Sequence, residues 1–299
     1  MKVAVLIPCF NEEKTIAKVI RDFREQLPGA AVYVFDNNSR DRSAEIARSE
    51  KTQVIPVKRQ GKGYVVRRMF DLVDADIFVM VDADDTYFAK DVHALIKPIA
   101  EDDADMAIGR RNFVSDSAMK KLNRIGNFLF SRLLNFVFMR PIGDVLSGYR
   151  CVSREWVRTV PILTYEFQVE MEMTFQSLYR NMRVVEVDVD YQERPHGSLS
   201  KLHPIRDGCL ILATFMALIR DLMPLVLFGF CSVVLFSAVL GYGLQVYYSP
   251  REANFLDAVV IISFAIIAFL FLVIGLVLHT LNRRFFELIA LLRRNNPKP

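Results

Sequence analysis

Hydrophobic and polar positions are distributed unevenly along the chain. Up to about Pro204, short apolar runs alternate with stretches of helical spacing; beyond it the polar positions thin out. Val3-Ala4-Val5-Leu6-Ile7-Pro8, Ala31 to Phe35, Gln53 to Val57, Ile77 to Val81 and Asp105 to Ile108 are short and nearly continuous, which predicts buried strands. Helical stretches follow them across short links. The pattern therefore predicts an α/β domain with a mostly parallel sheet and helices on both faces. Such sheets bind ligands beyond the C-terminal ends of their strands. The polar clusters Asn11-Glu12, Asp36-Asn37-Asn38-Ser39 and Asp82-Ala83-Asp84 all fall at such ends.

Local signals set the helix starts. Asn11 is placed to cap the first helix, with Glu12 and Glu13 favourable in its first turn; Ser39 or Asp41 caps the next. Gly61-Lys62-Gly63 opens a helix to about Val73. From about Ser117 to Met139, Leu122, Ile125, Leu129, Leu133 and Phe136 form an apolar stripe, with Lys121, Arg124 and Arg132 on a neighbouring face. A basic amphipathic helix of this kind lies in a membrane interface, where its cations meet lipid phosphate. The competing reading is an ordinary helix packed on the sheet.

The C-terminal third is of another kind. No charged residue occurs from Leu222 to Pro250, nor from Ala258 to Leu278. Each run exceeds the roughly 20 residues that cross a bilayer. The expected organisation is a catalytic domain over 1–203, an amphipathic juxtamembrane helix over 204–221, two transmembrane helices within 222–280 (about 222–247 and 256–279) and a basic tail over 281–299. Lys201, Arg206 and Arg220 precede the runs, and Arg283, Arg284, Arg293, Arg294 and Lys298 follow them. The positive-inside rule then places the soluble domain and both termini in the cytoplasm. The N-terminal apolar run is too short for a secretory signal.

The net charge of +4 is small, and no basic run interleaved with aromatics points to nucleic acid. Four cysteines, Cys9, Cys151, Cys209 and Cys231, lack metal-ligand spacing and fit a reducing compartment. The exposed apolar faces of the hairpin are open to lipid or to another subunit. The chemistry concentrates at Asp82-Ala83-Asp84-Asp85. A strand that ends in Asp-x-Asp can hold Mg²⁺ or Mn²⁺ against a phosphate, because hard carboxylate oxygens suit such ions. The bland alternative is a solvated acidic turn.

The runs IPCFNEE, DNNSRDRS, RQGKG and VDADDTY, in that order, resemble the nucleotide-binding half of family 2 glycosyltransferases, which have the GT-A fold. The runs LSGYR, FQVEMEM and ERPHGSLSKL are similar to the subset that transfers a sugar to a polyprenyl phosphate, such as dolichyl-phosphate mannose synthases and bacterial undecaprenyl-phosphate relatives. The resemblance implies that Pro8, Phe10 and Glu12 wall a base and ribose, joined by Asn38 in the donor site. It implies that Asp36 accepts from the base edge and that Lys62 helps neutralise the nucleotide. Asp84 would hold the metal, Asp82 the ribose or metal, and Thr86 would stand as a third and poorer ligand, where family members often carry Gln. Asp85 is expected to be a solvated helix-start acid.

For the acceptor phosphate the resemblance implies Ser147 and Arg150, beside Arg124 and Arg132. Glu170 or Glu172 would accept from sugar hydroxyls or orient an arginine, and Glu170 is assigned to the donor site. Arg194 and Lys201 would sit on a loop that closes over the diphosphate. The implied reaction is inverting transfer of one sugar, from a UDP-sugar or from GDP-mannose, with Mn²⁺ or Mg²⁺. Asp84, Arg150, Arg194 and Lys201 would carry the chemistry. A processive polysaccharide synthase would need a Gln-x-x-Arg-Trp signature, and the only tryptophan, Trp156, follows Arg154-Glu155. A non-catalytic membrane scaffold would not need the intact Asp82-Ala83-Asp84. A sugar-nucleotide pyrophosphorylase would need glycines where Pro8-Cys9-Phe10-Asn11 stands.

Overall fold

The structure is a computed structural model that describes residues 1–114, 121–195, 204–250 and 254–295. It divides into two compact units, Met1–Thr214 and Phe215–Pro299.

In the first unit the expected strands form as β1 (Val3–Cys9), β2 (Ala31–Asp36), β3 (Gln53–Pro56), β4 (Ile77–Met80) and β5 (Met106–Phe113). Two more complete the sheet, β6 (Arg150–Ser153) and β7 (Val184–Tyr191). The seven strands run in the order β3-β2-β1-β4-β6-β5-β7. All pairs are parallel except those of β6, which runs antiparallel between β4 and β5. β1 lies between β2 and β4, so the chain leaves it toward one side and later returns on the other. That is a topological switch point, where strand-end loops diverge and open a crevice.

Burial explains why these segments become strands. All four residues of β4 are buried, as a central strand covered on both faces requires. Helix α1 (Ile16–Gln26) lays Ile16, Val19, Ile20 and Phe23 on the sheet at helical spacing, each worth roughly 1.5–3 kcal/mol of burial. Pro28 follows its end and cannot continue it. Asn11 does not cap this helix: Thr15 is at the N-cap, and Asn11 takes a left-handed φ of 53° in the preceding turn. Its side chain instead accepts from the Arg40 N–H at 2.8 Å. At α2 (Ser43–Ser49), Asp41 rather than Ser39 meets the helix start, accepting the Ser43 N–H at 3.0 Å. The remaining helices of the sheet layers are α3 (Lys62–Leu72), α4 (Val92–Ala100), α5 (Lys121–Phe138), α6 (Arg154–Thr159) and α7 (Val169–Tyr179).

Helix α5 is turned opposite to a helix of a soluble core. Its polar residues face protein: Asn127 accepts the Leu146 N–H at 3.1 Å, Ser131 donates to the Gly143 carbonyl at 3.0 Å, and Asn135 exchanges two bonds with Ile142. Leu122, Ile125, Phe128, Leu129 and Phe136 are all more than half exposed, the last at 80%. Leu134 and Phe138 anchor it, the latter edge-on to Phe175 at 4.9 Å.

Helix α8 (Pro204–Leu222) contains the division between the units. The second unit holds α9 (Pro224–Tyr248) and α10 (Phe255–Asn295). Both are long and apolar enough to cross a membrane, and only 6% and 11% of their most apolar windows are buried by protein. Pro224 starts α9, where its missing N–H costs nothing. Asn254 and Asp257 start α10 with a reciprocal capping box at 3.0 Å in each direction. Asp257 also accepts the Tyr242 hydroxyl at 2.7 Å, tying the two helices at their shared end. α10 continues as helix through the segment expected to be a tail, as far as Asn295.

Candidate active site

The site grows from the C-terminal end of β4. Thr15 donates its hydroxyl to the Ala83 carbonyl at 2.6 Å and fixes the turn from below. Asp84 is 3% exposed, and its Oδ1 accepts both the Thr86 hydroxyl at 2.6 Å and the Thr86 N–H at 3.2 Å. Thr86 thus orients Asp84. Asp85, expected in solvent, is buried at 6% with a left-handed φ of 57° and pairs with Lys18 at 2.7 Å. Its burial raises its pKa, only partly opposed by Lys18. The acid is inside because the left-handed turn folds it back toward α1.

Asp82 and Asp84 each meet a different cation. Lys62, at the start of α3, lies 2.5 Å from Asp82 Oδ1 and 2.5 Å from Glu170 Oε1. Burial pushes the Lys62 pKa down, but the two carboxylates outweigh it and the net shift is upward. Lys62 is therefore held charged between them. Glu170, in the first turn of α7, reaches this cluster, whereas Glu172 does not. Glu172 accepts the N–H groups of Leu163 and Thr164 at about 2.9 Å and braces that segment. Arg194 reaches Asp84 Oδ2 with Nη2 and Glu12 Oε1 with Nη1, the latter at 3.2 Å. Glu12 is itself held by its N–H on Ser43 Oγ at 2.7 Å.

Arg194 arrives there by backbone pairing. Tyr191 forms a bridge with Tyr87, the Gln192 N–H donates to the Thr86 carbonyl at 2.9 Å, and Gln192 Nε2 donates to the Asp85 carbonyl at 2.7 Å. The end of β7 is thus laid along the acidic turn.

The strand ends of β1 and β2 form the other wall. Asp36 is 8% exposed, and its Oδ1 is buried with no hydrogen-bond partner among the described residues. An orphan carboxylate oxygen is costly unless a ligand donates to it. Pro8 and Phe10 are half-buried nearby in sequence, and Asn38 is exposed at a left-handed φ of 63°. Its neighbour Asn37 is buried and binds the Val57 and Arg59 carbonyls and the Gly61 N–H.

The glycines beside Lys62 are required by a neighbouring stretch of backbone. A Cβ on Gly61 or Gly63 would fall 2.1 Å or 2.2 Å from the carbonyl oxygens of Tyr165 and Thr164. They admit the Thr164-Tyr165 backbone, which Tyr165 stacked on Tyr64 at 4.7 Å also secures.

Ser147 and Arg150, expected at the acceptor phosphate, are bonded to protein groups. Both are fully buried. Arg150 donates to the Ser147 and Val145 carbonyls at 2.9 Å and 2.6 Å and to Thr174 Oγ1 at 2.9 Å. Burial pushes its pKa down to about 10. Ser147 donates to the Gly109 carbonyl at 2.6 Å. The pair braces the 145–149 loop because β6 carries it into the centre of the sheet. Of the other cations, Arg124 lies over the Phe113 ring at 4.2 Å, and Arg132 is exposed over Phe128 at 5.2 Å on the apolar face of α5. Lys201 lies outside the described residues.

Several contributors carried no sequence signal of their own. Tyr87 accepts the Gly148 N–H at 3.0 Å and fixes that loop against the acidic turn. Arg111 grips Asp144 with two bonds at 2.7 Å and 2.6 Å beneath Tyr191. Among the described residues no group of three or more His, Cys, Asp or Glu could cage a metal by itself. Mg²⁺ and Mn²⁺ take one or two protein carboxylates and complete their shell with phosphate and water. Asp84 and Asp82 supply hard donors of this kind.

A mostly parallel sheet with an Asp-x-Asp turn at the end of its central strand is the GT-A architecture of sugar-nucleotide transferases. The chain belongs to glycosyl transferase family 2, whose model matches residues 4–160. It is 35% identical over 247 residues to glycosyltransferase AglJ of Haloferax volcanii, covering 82% of this chain and 80% of that one. It is 31% identical over 208 residues to a dolichyl-phosphate hexose transferase of the same organism, covering 70% and 90%. Its fold is similar to glucosyl-3-phosphoglycerate synthase of Mycobacterium tuberculosis, with a TM-score of 0.60 at 19% identity over 72% of this chain and 80% of that one.

Proposed function

We propose that the protein transfers a single sugar, with inversion, from a nucleotide-sugar to a polyprenyl phosphate at the cytoplasmic face of a membrane. The observation that carries the lipid acceptor is α5, which spends its polar residues on protein and turns Leu122, Ile125, Phe128, Leu129 and Phe136 outward. Exposed apolar area of that extent on a helix bearing Arg132 matches a lipid interface and not a water-facing surface. The relative named as a dolichyl-phosphate hexose transferase supports the same acceptor class. The basic residues flanking the two apolar helices favour both termini in the cytoplasm.

On the donor side, Asp36 offers its orphan oxygen to a base edge N–H, and Pro8 and Phe10 wall the base. Lys62 and Arg194 supply positive charge for the diphosphate, and Glu170, held by Lys62, presents its free oxygen to sugar hydroxyls. Asp84 and Asp82 would hold Mn²⁺ or Mg²⁺, which when bound screens the charge on the departing nucleoside diphosphate. The acceptor phosphate is already an anion and requires no general base, so Asp82 and Asp84 need neither give nor take a proton. Solved complexes of the mycobacterial synthase contain Mn²⁺ and UDP, which favours a UDP-sugar over GDP-mannose.

The test is purified full-length protein with polyprenyl phosphate, Mn²⁺ or Mg²⁺, and a panel of UDP- and GDP-sugars. One donor is expected to yield a glycolipid by mass spectrometry. Absence of product with every donor overturns the assignment.

A further inference from the structure

Asp84 and Glu12 stand on the ends of neighbouring strands, β4 and β1, and are 3% and 7% exposed. Two carboxylates buried on facing loops repel each other unless a cation lies between them. Lys62 does not serve them, because its ammonium is committed to Asp82 and Glu170. Arg194 does: its two terminal nitrogens each take one carboxylate, Nη1 on Glu12 and Nη2 on Asp84. The pairing is selective at Asp84. Oδ1 is occupied by Thr86, and the guanidinium takes Oδ2, the oxygen left for a metal ion.

We propose that Arg194 is the counter-ion of the ligand-free site, holding the place of the divalent cation on Asp84 and passing to the donor's diphosphate when metal and nucleotide enter together. The inference rests on the metal-dependent nucleotide-sugar reading above and adds the order of events within that site. A metal ion arriving alone must take Asp84 Oδ2 from Arg194 and breaks an ion pair to do so. A metal ion arriving with a diphosphate brings anionic oxygens that match the planar guanidinium fork as well as a carboxylate does. Metal and nucleotide therefore bind cooperatively, and Arg194 carries the coupling. Linkage requires the same factor in both directions.

The hinge for this exchange is short. Gln192 is pinned to the Thr86 and Asp85 carbonyls, so the backbone two residues before Arg194 stays with the acidic turn. A side-chain rotation suffices to move the guanidinium without separating β7 from the turn.

The experiment measures Mn²⁺ affinity by electron paramagnetic resonance on the full chain in detergent, with and without saturating UDP, and in a parallel arm GDP. In the wild-type protein nucleotide is expected to tighten Mn²⁺ binding by about tenfold or more, the scale of one charged interaction. In Arg194→Ala, Mn²⁺ alone is expected to bind about tenfold tighter than in wild type, while the gain from nucleotide shrinks by a similar factor. That opposite movement separates the proposal from a general charge effect, which would tighten binding equally in both states. Arg194→Lys keeps the charge but spans one carboxylate, and is expected to fall between; it serves as the test if the alanine variant does not fold. Unchanged Mn²⁺ affinity without nucleotide, or unchanged coupling, overturns the proposal while leaving the transferase reading intact. Failure of the wild-type protein to bind Mn²⁺ with either nucleotide overturns both.

Discussion

Gly148 and Asp82 touch so closely that no side chain fits between them: a Cβ on Gly148 would lie 2.3 Å from Asp82 Oδ2. The same Cβ would be 3.3 Å from Lys62 Nζ. The loop from β6 therefore forms one wall of the acidic turn, and Tyr87 holds that loop in place through the Gly148 N–H. Gly148→Ala is expected to push Asp82 off Lys62 and lower kcat/KM at least tenfold, about 1.4 kcal/mol. Tyr87 and Ser147 preserve the loop itself, so the melting temperature is expected to fall by only a few degrees. Steady-state kinetics with a thermal melt checks both, and wild-type kinetics in the alanine variant would remove Asp82 from the site.

Lys62 and Glu170 are a buried pair, with side chains 10% and 6% exposed. Removing one partner of such a pair leaves an uncompensated charge, at a cost of about 3–5 kcal/mol. Lys62→Met is expected to destabilise by that amount. Lys62→Met combined with Glu170→Gln is expected to recover part of the loss, since one stranded carboxylate is gone. Glu170→Gln alone completes the cycle by denaturant unfolding, and a double variant whose loss equals the sum of the two single losses would show that the two residues are not coupled.

The apolar face of α5 predicts a division between stability and acceptor use. Leu129 is 59% exposed, so Leu129→Glu is expected to change unfolding stability by less than about 0.5 kcal/mol. If the face lies on lipid, the same substitution raises KM for a long-chain polyprenyl phosphate in liposomes. A short water-soluble prenyl phosphate is affected less. A large loss of stability would mean that the face is covered by protein instead.

Cys9 supplies a pH dependence. Burial, together with nearby carboxylates, pushes its thiol up to about 12 from 9.0. The folded pKa is raised, so this stabilisation is complete below pH 9 and is lost as pH rises toward 12, because the unfolded thiol ionises first. Each pH unit in that window costs about 1.4 kcal/mol for this group. Cys9→Ala is expected to lose stability less steeply than wild type between pH 9 and 11 in thermal melts. Identical slopes would count against the shift. Native Cys9 is likewise expected to resist alkylation at pH 8, while the exposed Cys209 reacts.

The local chemistry of short segments determined a good deal by itself. Continuous apolar runs define β1 to β5 because a buried parallel strand tolerates little else. Uncharged stretches longer than a bilayer define α9 and α10. The stripe Leu122, Ile125, Leu129 and Phe136 marks an apolar face whose side of the molecule the sequence leaves open. Asp82-Ala83-Asp84 is visible because strand ends concentrate the few polar residues of a parallel sheet.

The tertiary structure decided what depends on distance in the chain. Arg150 reads as a phosphate ligand, since a guanidinium suits phosphate wherever it is exposed; only the antiparallel insertion of β6 shows that it is buried among carbonyls. Gly61 and Gly63 read as a helix start, and the oxygens that require glycine there belong to Tyr165 and Thr164, about a hundred residues on. Arg194 and Glu12 are 182 residues apart in the chain. They meet because β7 runs along β5 and its end is bonded to the acidic turn. Local preference depends on nearest neighbours and is written in the sequence, whereas electrostatic pairing depends on separation in space and is settled only when the sheet assembles.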